Sequence, residues 1–202
     1  VRREFDHISS AECRQFIVDR LSDDALLGRG GRLLREGKYL LPYKPAQEDE
    51  AEGLMDAIVK VDLPARNVHA HVIDLYQIVL DHLDSTGYWE AICAVEPDIS
   101  RIEMVEMLQD AASAEHVIAP AVNREIESHS EADIFFVCGA GEIFPYVRTN
   151  KVIGLLDSRR PVVLWFPGTY DRALDGSPTL NILDIEQGNT GGHYRATNVF
   201  DL

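Results

Sequence analysis

The stretch Asp133-Ile134-Phe135-Phe136-Val137-Cys138-Gly139-Ala140-Gly141 decides the fold. Its apolar run has no polar alternation, which suits a strand covered on both faces, as in a parallel sheet. Glycines close it. Pro161-Val162-Val163-Leu164-Trp165-Phe166 repeats the pattern, and Pro167-Gly168 marks its expected end. Tyr146 to Leu156, between the two, reads as a helix. Strand, helix and strand form a βαβ unit whose crossover should be right-handed.

Upstream of this unit, Val68 to Ile73 predicts a strand and Leu75 to Leu83 the helix that follows it. Tyr39-Leu40-Leu41, halted by Pro42-Tyr43-Lys44-Pro45, predicts a first strand. A helix from Ala46 to about Leu63 opens on Glu48, Asp49, Glu50 and Glu52, acids that favour the positive end of a helix dipole. Ser100 and Glu103 have capping-box spacing ahead of Val105, Met107 and Leu108, and a further helix covers about 115–129. Ser9 and Glu12 have the same spacing, with Ser9 as the expected cap of a first helix carrying Phe16, Ile17 and Leu21. Gly28-Arg29-Gly30-Gly31 breaks that segment. Downstream, Asp171 to Gly192 reads as surface loop and His193 to Phe200 as a last strand. The sum is an α/β chain: residues 32–202 form a three-layer, Rossmann-like domain with a mostly parallel central sheet, and residues 1–31 a helical arm.

Composition narrows the function. The chain has 202 residues, 46% hydrophobic, with 34 acids against 19 bases and a formal charge of −15. Such a field repels polyanions and anionic lipid surfaces, so neither direct nucleic-acid binding nor membrane attachment is expected. No run reaches the roughly 20 apolar residues of a membrane helix. The charged start, Val1 to Asp6, does not read as a secretory leader. Cys13, Cys93 and Cys138 are odd in number and widely spaced, which fits a reducing cytoplasm better than a disulfide framework. One basic run departs from the trend: Arg29, Arg32, Arg35, Lys38 and Lys44 read as a solvated face, or as a docking patch for an acidic partner.

Gly139-Ala140-Gly141-Glu142-Ile143-Phe144 stands where a dinucleotide fingerprint would stand. Phe144 replaces the third glycine, Glu142 puts a negative charge where a phosphate needs donors, and no Lys follows. The turn therefore keeps the position of a phosphate cradle without its chemistry, and no cofactor is expected. An ion pair between Glu142 and Arg148 is expected across the helix start. His69 and His71 share a strand face near Asp74, but an HxHxDH metal pattern needs the acid one place earlier and a further His. They read as ordinary histidines, and no metal is expected. Cys138 reads as a small buried apolar residue rather than a nucleophile. No catalytic constellation emerges. Trp165 and Phe166 belong in the core, whereas Tyr170, Tyr194 and Arg195, in loop-like surroundings, suit an interface.

The run Cys138-Gly139-Ala140-Gly141-Glu142-Ile143-Phe144-Pro145-Tyr146-Val147-Arg148 resembles the G-x-G-E-[VI]-F-P-Y-[VI]-R signature of the BrxB proteins of BREX bacteriophage-exclusion systems. Trp165-Phe166-Pro167-Gly168-Thr169-Tyr170 is similar to that family's F-F-P-G-x-Y. Tyr194-Arg195-Ala196 is similar to its Y-R-A, and Leu41-Pro42-Tyr43-Lys44-Pro45 to its P-Y-x-P. The resemblance implies a part in anti-phage defence beside a DNA methyltransferase, a large ATPase and a phosphatase-like PglZ protein. It also implies a non-catalytic adaptor that binds PglZ and supports assembly, with self-association left open. On this reading the interaction loop comprises Gly139, Gly141, Glu142, Phe144, Tyr146 and Arg148, with Tyr170, Tyr194 and Arg195 beside it. The alternative is a nucleotide-responsive or hydrolytic protein that uses the crevice at the strand C-termini.

Overall fold

The computed structural model describes residues 7–29, 37–172, 178–183 and 196–202. In chain order the elements are α1 (Ala11–Leu21), β1 (Lys38–Tyr43), α2 (Glu48–Ala57), α3 (Leu63–Ala65), β2 (Ala70–Asp74), α4 (Leu75–Ser85), α5 (Tyr88–Val95), α6 (Arg101–Ala111), α7 (Ala119–Ser128), β3 (Ile134–Cys138), α8 (Thr149–Leu155), β4 (Val162–Arg172), β5 (Pro178–Ile182) and β6 (Thr197–Asn198). Wider π-type turns at Ile58–Asp62 and Ala114–Ile118 join α2 to α3 and lead into α7.

The central sheet runs β2-β3-β4-β1-β6, and every pairing along that path is parallel. Side chains of a strand alternate between faces, so each strand supplies both cores. Phe135 and Val137 of β3, Leu164 and Phe166 of β4 and Leu40 of β1 meet buried residues of α4, α5, α7 and α8. Ile134 and Phe136, Val163 and Trp165, Tyr39 and Leu41 face the other way, onto α1, α2, α3 and the C-terminal Phe200. Helices thus cover both faces of a parallel sheet, the expected α/β arrangement.

The first helix is fastened to this core. Cys13, Ile17 and Leu21 are fully buried, and Arg14 forms two bonds to Asp62, of 2.7 and 2.9 Å. Its cap is Ser10, one residue later than expected, and Ser10 Oγ accepts the Cys13 N–H at 3.2 Å. Ser9 instead donates to Glu50 Oε2 of α2 at 2.5 Å, so a tertiary bond takes the side chain that local spacing assigned to the cap. The Ser100–Glu103 box forms as expected.

Two expectations near the C-terminus are corrected. Pro167-Gly168 does not end the last buried strand. β4 continues to Arg172, leaves the parallel sheet and pairs antiparallel with β5. Proline is tolerated there because its carbonyl carries the contact, accepting the Leu183 N–H at 2.8 Å. At Gly168 any Cβ would collide with the Asn181 carbonyl. Part of the stretch expected as loop, Asp171 to Gly192, is therefore strand; Leu183 is a turn residue, and the rest of it lies outside the described residues. Of the expected last strand, residues 193–195 lie outside the described residues; among the described ones the strand is Thr197–Asn198, followed by a 3₁₀ turn at Val199–Asp201.

Candidate functional site

The C-terminal ends of parallel strands are where open α/β sheets hold ligands. Here Tyr43 of β1, Asp74 of β2, Cys138 and Gly139 after β3, and Trp165 of β4 line a cavity of about 380 Å³. α2 forms its rim with Glu48, Asp49, Glu52 and Asp56, and Glu142 closes the far side. Among the described residues, six carboxylates and no cation line the crevice. Acids in the first turn of α2 suit its dipole, and together they make the mouth repulsive to anions.

At the floor, Tyr43 donates its hydroxyl to Glu48 Oε1 at 2.6 Å. Burial pushes the Glu48 carboxyl up; the Tyr43 hydroxyl offsets this in part, and the nearby Glu142, Glu52 and Asp49 charges add to the rise. Burial and then the same Glu48 contact raise the Tyr43 phenol. The Cys138 thiol is pushed up to about 12, first by burial and then by Asp74 and Glu142. It stays protonated at neutral pH and donates weakly to the Ile73 carbonyl at 3.8 Å. A thiol so held is a poor nucleophile.

One helix terminus beside the strand ends is already filled. Asp74 caps α4 with its own carboxylate, which accepts the N–H groups of Tyr76 at 2.8 Å and Gln77 at 3.2 Å. An internal anion therefore occupies the helix N-terminus nearest the strand ends. The expected helix from Tyr146 begins only at Thr149. Residues 140–146 form separate turns, with Phe144 N–H on the Gly141 carbonyl at 3.2 Å and Val147 N–H on that of Ile143 at 2.9 Å. Pro145 has no N–H to link them into a helical ladder.

The structure divides the sequence-predicted loop. Gly139 and Glu142 belong to the acidic crevice, while Gly141 packs beside Pro167 and Leu183. Phe144 is half-buried against the core. Tyr146 and Arg148 line a separate groove of about 210 Å³ with Gln109, Ser113, Glu115 and Lys151. The expected Glu142–Arg148 ion pair is not formed; both side chains are exposed and turn to different grooves. Tyr146 links the two sides, because its hydroxyl donates to the Glu142 carbonyl at 3.0 Å. Tyr170 lies on β4 opposite Leu180, and Tyr194 and Arg195 lie outside the described residues.

Sequence reasoning missed the acid rim of α2 as part of the crevice, although the Glu48–Glu52 run was its signal. It also missed α5, whose Tyr88 and Trp89 are about half exposed. The basic run is not one patch among the described residues. Arg29 is engaged with Asp133 Oδ1 at 3.1 Å and the Asn67 carbonyl at 2.8 Å, whereas Arg32 and Arg35 lie outside the described residues. Among the described residues, no helix is long and apolar enough to cross a membrane.

Comparison with known proteins agrees with the motifs. The family model described as BREX protein BrxB matches residues 71–199. A BREX protein BrxB of Bacillus cereus (strain H3081.97) is 24% identical over 194 residues, covering 92% of this chain and 94% of that protein. A BREX protein BrxB of Escherichia coli O9:H4 (strain HS) is 20% identical over 183 residues, covering 89% and 86%. No solved structure matches significantly.

Proposed function

The chain belongs to the BrxB family of BREX proteins, and from that premise we infer that it is a non-catalytic adaptor within a cytoplasmic anti-phage complex. Its partner on this reading is a PglZ-like protein, and its docking surface is the acidic crevice with the adjoining Tyr146–Arg148 groove. The crevice carries the inference. It occupies the usual ligand position of the fold, yet six carboxylates line it and Asp74 fills the helix terminus a phosphate would use. Such a pocket suits Arg or Lys side chains of a protein partner rather than a nucleotide.

Co-purification of the full chain with a PglZ-like protein from the same system tests this reading. A stable complex is expected, weakened by Glu52→Lys and Glu142→Lys, both exposed positions, at unchanged thermal stability. Absence of association at micromolar concentrations, or a complex indifferent to both charge reversals, refutes docking through the crevice. A Tm rise with ATP or NAD would favour the nucleotide-responsive alternative.

A further inference from the structure

A second cluster of chemically capable side chains lies away from the crevice, where the edge strand meets α7. His71 projects from β2, Glu125 lies in the last turns of α7, and His129 is the residue that ends that helix. Their donor atoms all lie within 4.8 Å of one another. We propose that His71, Glu125 and His129 form a binding site for a divalent zinc ion.

The distances carry the proposal. His71 Nε2 stands 3.3 Å from Glu125 Oε2, and His129 Nδ1 stands 3.4 Å from that same oxygen. A charge-assisted hydrogen bond closes to about 2.7–2.9 Å, so neither contact is a good one. Ligands about 2.0–2.1 Å from a tetrahedral ion are instead roughly 3.3–3.4 Å apart, the spacing of each histidine nitrogen from the Glu125 oxygen. Two imidazoles and one carboxylate are a donor set suited to zinc.

The surroundings pre-position the set and leave it reachable. Side-chain exposure is 26% for His71, 46% for Glu125 and 32% for His129, so water can complete the fourth position. Glu125 and His129 are one helical turn apart, which places both donors on one face. The His129 carbonyl accepts from Arg160 Nη1 at 3.3 Å and from the Ala132 N–H at 3.1 Å, fixing the residue at the helix end. Phe135 meets the His71 ring edge-on at a centroid distance of 6.1 Å. The two imidazoles stack at 3.5 Å, and His129 Nδ1 lies 3.0 Å from the Glu125 carbonyl. Binding requires the stack to splay so that both nitrogen lone pairs converge, and any proton on a liganding nitrogen leaves for solvent. Affinity should therefore fall as the solution is acidified. The ion would clasp edge strand β2 to α7.

The test is calorimetric titration of the chelator-treated full chain with zinc chloride, beside thermal unfolding. One ion per chain and a Tm rise of roughly 5 °C or more at hundredfold excess over Kd are expected. Loss of a group that only hydrogen-bonds a metal ligand already costs about 10–100-fold in affinity, so His71→Ala, His129→Ala and Glu125→Gln should each weaken binding by at least about tenfold. Cobalt(II) added to the unmutated protein gives a reading that depends on no variant: tetrahedral visible bands without thiolate charge transfer are expected. No heat and no Tm change up to 100 µM zinc overturn the proposal. So do cobalt–thiolate bands, or affinity unchanged in the folded variants.

Discussion

Asp74 Oδ1 stands 2.5 Å from the point a Cβ on Gly139 would occupy, and the same oxygen accepts the Tyr76 N–H at 2.8 Å. One carboxylate thus caps α4 and denies the neighbouring strand end a side chain. Gly139 has φ +78°, in the left-handed region, and its missing Cβ would also meet the Tyr76 backbone nitrogen at 2.8 Å. The loop leaving β3 can approach α4 this closely only with glycine there.

Gly139→Ala should therefore destabilise the chain by about 2–4 kcal/mol, since left-handed strain and a backbone collision act together. Gly53, inside α2 with nothing within 4 Å of its would-be Cβ, should respond with the opposite sign. Gly53→Ala is expected to stabilise by up to about 1 kcal/mol. Urea midpoints of both variants check the pair.

Asp74→Ala should cost about 1–2 kcal/mol by removing the N-cap of α4, while Asp74→Asn, which still offers an oxygen, should cost less. Thermal unfolding in one buffer distinguishes them.

Tyr43→Phe removes the hydroxyl that holds the Glu48 carboxyl down, so that carboxyl should rise further. A raised folded-state carboxyl means that the native chain binds more protons than the unfolded one. Its stability contribution falls as pH climbs above the unfolded value. The penalty of Tyr43→Phe should accordingly grow from pH 4 to pH 7, and Glu48→Gln in the same background should flatten it. Stability against pH for the single and double variants is the measurement.

Asp133 behaves in the opposite sense. Burial alone would raise its carboxyl, but the His69 backbone N–H at 2.8 Å and the Arg29 guanidinium hold it below its ordinary 3.8. The resulting stabilisation is complete above the unfolded value and is lost as pH falls through the lower folded one. Asp133→Asn should cost about 1 kcal/mol at neutral pH and steadily less below pH 4. Acid titration of the unfolding free energy checks this.

Arg148→Ala should leave stability within about 0.5 kcal/mol, because the side chain is exposed and makes no capping bond at the start of α8. Partner binding should weaken, and binding by the wild type should fall with added salt. A pull-down series at rising ionic strength tests both.

The strands were legible because burial on both faces forces unbroken apolar runs, and β3 and the parallel part of β4 are such runs. β5 was not legible: it pairs with an extension of β4 through Asp171 and Arg172, polar residues that local pattern assigns to loops. The Ser9 cap failed for a related reason. Local spacing sees Glu12, whereas Glu50 on another helix captured the hydroxyl.

For the site, Glu142 and the absent third glycine already set the turn after β3 apart from a dinucleotide fingerprint, since charge and glycine content are properties of the chain itself. Sequence alone thus determined the fold class and the family. Only the tertiary structure gathered Glu48, Glu52 and Asp74 with Glu142 into one crevice, parted Arg148 from Glu142, and set His71 beside Glu125 and His129. Those meetings join residues far apart along the chain, and proximity of that kind is created by packing elements around the sheet rather than by any local spacing.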